Sequence, residues 1–124
     1  ARALLKDALA RNPGNYPITH TLARTEIADS NGAAAAEYLK QLTRQFPAQE
    51  HLWLKLAEAE GMARNIVGVH RARAEYDVLM GDLESAQRQL RQAQEKLPAG
   101  APQRQVVTER LAEITSRLHA RANS

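Results

Sequence analysis

Four histidines, His20, His51, His70 and His119, are the residues of this 124-residue sequence best placed to exchange a proton near neutral pH. None belongs to an HExxH pair, whose two histidines would bind zinc from one helix face, and no other metal-ligand spacing is present. There is no GxSxG elbow and no phosphate-binding glycine loop. The sequence contains no cysteine, so it offers no thiol nucleophile, no disulfide and no thiolate metal site. We therefore expect no catalytic residue, no metal and no cofactor within the chain. What remains is charge. Seventeen Lys and Arg stand against 14 Asp and Glu, a net +3, with the signs interspersed. Such a mixture describes a solvated surface better than a polyanion-binding one, and nucleic acid is not an expected partner. Even the stretch HRARAEYDVLMGD, residues 70–82, sets Arg71 and Arg73 against Glu75, Asp77 and Asp82.

These residues must be carried by helices. The composition is 44% apolar but only 4% aromatic, rich in Leu and Ala, and almost without β-branched runs. Period and punctuation mark seven helical segments: 1–11, 16–29, 33–46, 49–60, 66–80, 83–97 and 103–121. The breaks are NPGN at 12–15, SNG at 30–32, Pro47, the GMARN stretch from Gly61, Gly81-Asp82, and PAGAP at 98–102. Short loops between such helices make neighbours antiparallel. No apolar run approaches the roughly 20 residues of a membrane span. The chain opens without Met and already inside a helical pattern, and we expect a longer parent protein.

A repeat distinguishes a stacked array from a closed bundle. Ala1, Leu5, Ala8 and Pro13 are followed 34 residues later by Ala35, Leu39, Leu42 and Pro47. Thr19, Leu22 and Ala23 are followed at the same shift by Trp53, Leu56 and Ala57. A fixed shift is not what drifting 3.6-residue amphipathicity produces. The pattern resembles the tetratricopeptide repeat, a 34-residue helix-turn-helix unit. We expect an all-α solenoid of about seven antiparallel helices. Residues 1–15 would hold the second helix of a truncated repeat, 16–49 repeat one, and 50–82 an irregular repeat two. At 70–82 the phase slips by 17 residues: a new frame from 67 places Ala74, Gly81-Asp82, Ala86, Leu90, Ala93 and Pro98 at repeat positions. Repeat three, 67–100, thus overlaps repeat two, with the fifth helix closing one and opening the next. Residues 103–121 fit no repeat and read as a capping helix.

The resemblance also implies where a partner would bind. In tetratricopeptide arrays the first helices line a concave groove, and the corresponding positions here are His20, Thr21, Arg24, His51, Leu54, Lys55 and Glu58. If the fifth helix counts as a first helix, Arg71 and Glu75 join them. Such a mixture could hold a peptide or an extended partner segment. The family's carboxylate clamp is not implied, because its asparagines are missing: its places hold His20, Arg24, Lys55, Gly68 and Ala72. Trp53 reads as core.

A second resemblance is narrower. His70, Ala72 and Ala74-Glu75-Tyr76 on a helix ending at Gly81, followed by Ala86 and Gln89-Leu90, are similar to the C-terminal segment of bacterial periplasmic zinc metalloproteases of the β-barrel-assembly-enhancing type. NPGNYP at 12–17 and LTRQFP at 42–47 also resemble that family's repeats. Asp77 departs from the pattern, where Tyr or Phe is expected. This resemblance implies a repeat domain attached to an upstream HExxH catalytic domain holding the zinc. It implies a periplasmic location and a part in outer-membrane protein assembly and quality control. The partner would be the outer-membrane assembly machinery or the parent's own protease domain. The alternative is a repeat scaffold of an unrelated cytoplasmic assembly or regulatory protein.

Overall fold

The computed structural model describes residues 2–123 as seven helices: α1 Arg2–Arg11, α2 Tyr16–Ala28, α3 Gly32–Gln45, α4 Glu50–Met62, α5 Ile66–Leu79, α6 Leu83–Glu95 and α7 Pro102–Ala122. Ala1, expected at the start of α1, lies outside the described residues. Each helix packs mainly on the next in the chain. The result is an all-α helical repeat, as expected from the 34-residue period.

The turns follow from local chemistry. Asn15, Asn65 and Asp82 cap α2, α5 and α6, their side-chain oxygens accepting the N–H of Ile18, Gly68 and Ser85 at 3.0, 3.1 and 3.0 Å. Three connections are built alike. Asn31, Asn65 and Asp82 each donate their N–H to the carbonyl five residues back, on Glu26, Glu60 and Asp77, at 2.8, 2.9 and 2.8 Å. That closure requires a left-handed residue just before the cap, and Ser30, Arg64 and Gly81 supply it with φ of 61°, 60° and 83°. The turns before and after α5 therefore share one geometry, which α2–α3 also uses.

The helix ends lie within two residues of the sequence expectation, and the end of α4 differs for a physical reason. Gly61 and Met62 do not loosen the chain; they complete α4, which ends only where Arg64 turns left-handed. An L-residue there costs about 1–2 kcal/mol that glycine avoids. Replacing Arg64 with Gly should raise stability by about 1 kcal/mol in urea unfolding; a loss would mean that the Arg64 side chain makes a contribution larger than its backbone strain.

Two cores flank α5. The first gathers Ala23, Ala35, Leu39, Leu42, Leu52, Leu56 and Ala72; the second gathers Ala74, Leu83, Ala86, Leu90, Val107 and Ile114. The only buried residues of α5 are Ala72 and Ala74, one for each core. Two alanines let α4 and α6 approach its backbone closely from different sides. Arg73 between them is exposed. At the far end, α7 lays Val107 and Ile114 onto the second core. Gln87 and Gln94 of α6 donate to Thr115 and Thr108 of α7 at 3.1 and 2.9 Å, a matched antiparallel register.

Candidate functional site

Of the residues expected to line a groove from α2 and α4, His20, Arg24, His51 and Lys55 lie near enough to act on one another's charge. On α4, His51, Leu54, Lys55 and Glu58 share one face, because steps of three and four residues return to the same side of a helix. On α2, His20 and Arg24 do the same. The two faces meet closely enough that the His20 imidazole is held below its ordinary 6.5, first by partial burial, then by the charges of Arg24, His51 and Lys55. Tyr16 extends the site at one end: its ring stacks on His20 with centroids 5.5 Å apart and meets the edge of Phe46 at 5.1 Å. Leu54 is 40% exposed and Phe46 39%, so apolar surface lies beside the charge. Lys55 pairs with Glu58 at 3.5 Å, whereas Arg24 and His51 have no carboxylate partner among the described residues.

Protonation of His20 opposes folding. The folded state binds its proton less readily than the unfolded chain does, so this contribution to stability is present above about pH 6.5 and is lost as pH falls through the range below it. Wild-type protein should therefore lose more stability between pH 7.5 and 5.5 than the variant His20→Gln, measured by thermal unfolding at each pH. Equal losses would place the imidazole outside the field of its three neighbours.

Arg71 and Glu75 do not join this face. They lie on α5, and α5 packs against the Trp53, Leu56 and Glu60 side of α4, roughly opposite the side carrying His51, Lys55 and Glu58. Glu75 is committed instead to Arg110 of α7, which donates to its two oxygens at 2.9 and 2.8 Å and also reaches Glu113. That pairing holds the Arg110 guanidinium above its ordinary value, the hydrogen bond to Glu75 being the main cause. Trp53 is not a core residue outright. It packs on the edge of the first core, half-buried, and its indole N–H donates to the Pro47 carbonyl at 2.9 Å.

Sequence reasoning missed one set of residues. Glu26 and Glu60 are buried inside the helix crossings, 34 residues apart, and Asp77 follows 17 later, at the slip of phase. Glu26 pairs with Arg2 at 2.6 Å. Glu60 accepts from Asn65 at 3.1 Å and lies 3.9 Å from Lys40. Asp77 accepts from the Ser85 hydroxyl at 2.6 Å. The acidic side chain recurring four residues before the left-handed Ser30, Arg64 and Gly81 was the available signal. Asp77 is thus the third of a series, which accounts for its place where an aromatic was expected.

Residues 1–59 match the family model described as tetratricopeptide repeat, a span that takes in α1 to α3 and most of α4. No curated protein sequence matches the chain. The fold is an all-α helical repeat of tetratricopeptide-like form, and over residues 1–59 the sequence is similar to that family of protein-binding repeats. Among the described residues no group of three or more His, Asp or Glu side chains is placed to hold a metal ion, and no helix is long and apolar enough to cross a membrane.

Proposed function

We propose that the face shared by α2 and α4 binds an extended, acidic segment of a partner protein. The observation that supports this most directly is the convergence of His20, Arg24, His51 and Lys55, with a single carboxylate pair among them. Like charges gathered from two nearby helices repel one another, and an acidic ligand relieves that repulsion. Phe46, Tyr16 and Leu54 offer apolar contacts along the same path. Binding a carboxylate restores the His20 proton, so affinity rises as pH falls through the histidine range. The double variant Arg24→Glu, Lys55→Glu should keep its melting temperature, since both residues are exposed, and lose at least tenfold in affinity for the partner in calorimetry. Unchanged affinity would put the site elsewhere on the array.

We further propose that this scaffold is the C-terminal repeat domain of a periplasmic zinc metalloprotease serving outer-membrane protein assembly and quality control. The support is the run from His70 to Pro98 and its likeness to that family. The zinc has no ligand set among the described residues of this chain, so in this reading it belongs to the upstream catalytic domain. Within the repeat reading, α5 is both the second helix of residues 50–82 and the first of 67–100. The shared turn geometry on either side of α5 supports that double role. Sequencing the gene upstream of residue 1 tests the parentage: HExxH behind an export signal supports it. The absence of both would favour a cytoplasmic assembly or regulatory scaffold.

A further inference from the structure

A cleft of about 330 Å³ opens between α3, α4 and α5, on the opposite side of α4 from the basic face. Its size falls at the low end of ordinary ligand pockets, about 300–1,000 Å³. Lys40 and Arg44 line it from α3, Trp53 and Glu60 from α4, and Arg71 and Glu75 from α5. The charge inside is unevenly matched. Glu75 is held by Arg110. Glu60 is held by Asn65 and stands near Lys40, which also reaches Glu37 at 3.4 Å. Arg44 and Arg71 have no carboxylate partner among the described residues. Two arginines without a carboxylate partner therefore line one cleft, Arg44 from α3 and Arg71 from α5, beside an indole pinned by its bond to Pro47.

We infer that this cleft is a second binding site, for the side-chain carboxylates of an acidic peptide stretch, with Arg44 and Arg71 as its anchors and Trp53 as its apolar wall. Guanidinium groups pair with carboxylates through two parallel N–H donors, a geometry that suits a planar anion. Two arginines on separate helices require more than one negative charge along the ligand. A run of Glu or Asp supplies that, and a lone terminal carboxylate does not. The inference is independent of the α2/α4 site, because none of the residues involved is shared.

Trp53 is the sole tryptophan of the chain and therefore reports on the cleft by its own fluorescence. The probe is the capped peptide acetyl-AEEEEA-amide, titrated at low salt, where exposed charges act at longest range. The controls are acetyl-AQQQQA-amide and the same glutamine peptide with a free C-terminus. The acidic peptide should change Trp53 emission saturably, and neither control should. Arg44→Gln with Arg71→Gln should raise the Kd tenfold or more without changing the melting temperature. Arg24→Gln with Lys55→Gln should leave the Kd read from Trp53 within twofold. The inference is overturned by absence of a saturable change, by an equal response to the capped glutamine peptide, or by a response confined to the free C-terminus. It is equally overturned if the α2/α4 variant, rather than the cleft variant, loses binding.

Discussion

Leu52→Ala should cost about 2–5 kcal/mol of stability, the range for truncating a fully buried leucine. The side chain is 0% exposed and sits in the first core with Leu39, Leu42 and Leu56. Its helix, α4, is packed on one side by α3 and on the other by α5. A void at Leu52 is therefore felt by both interfaces, and neither helix can move in to fill it without leaving its other neighbour. The melting temperature should fall by roughly 10 °C or more at this chain length. Leu54→Ala on the same helix makes the control. At 40% exposure it should stay within about 0.5 kcal/mol of wild type, as surface substitutions do. Because each helix depends mainly on its sequence neighbours, amides in α2–α4 should lose hydrogen-exchange protection before those in α6 and α7. Near-wild-type melting of Leu52→Ala, or uniform loss of protection along the chain, would contradict this account of two cores joined through α5.

The helices were legible because Asn, Gly and Pro mark their ends, and because a period of 34 cannot arise from helical drift. The end of α4 was not legible. Gly61 looks like a break, yet glycine is tolerated in a last helical turn, and the residue that does stop the helix is Arg64, which carries no turn signature. The grouping of the groove failed in part for a related reason. Periodicity tells which side of its own helix a residue occupies. It does not tell on which side of α4 the next helix lands, and that placement separates Arg71 and Glu75 from Lys55 and Glu58. The buried acids Glu26 and Glu60 were hidden because a charged residue in an amphipathic pattern reads as surface. Only their partners, Arg2 on α1 and Lys40 with Asn65 on α3 and the next turn, make burial tolerable.

Two glycines that look alike in the sequence should respond to alanine with opposite signs. Gly32 is the first residue of α3 and is buried where α3 meets the end of α4. A Cβ there would lie 2.7 Å from the Ala59 carbonyl oxygen, 2.7 Å from the Ala63 nitrogen and 2.7 Å from the Met62 Cβ. Two of those three atoms are backbone, which cannot rotate aside, so the α3–α4 crossing must open. Gly32→Ala should destabilise by about 3 kcal/mol, the upper part of the usual range for overpacking. The better helix propensity of alanine offsets at most about 1 kcal/mol of this. Gly61 is also helical, but a Cβ there would meet only the Val69 Cγ2, at 3.8 Å, an ordinary contact. With the steric term absent, the propensity term decides, and Gly61→Ala should stabilise by about 1 kcal/mol. The difference between the two variants, about 4 kcal/mol in urea unfolding, measures how closely α3 and α4 approach. If Gly32→Ala matched Gly61→Ala, the small residue at that crossing would not be setting the spacing of the array.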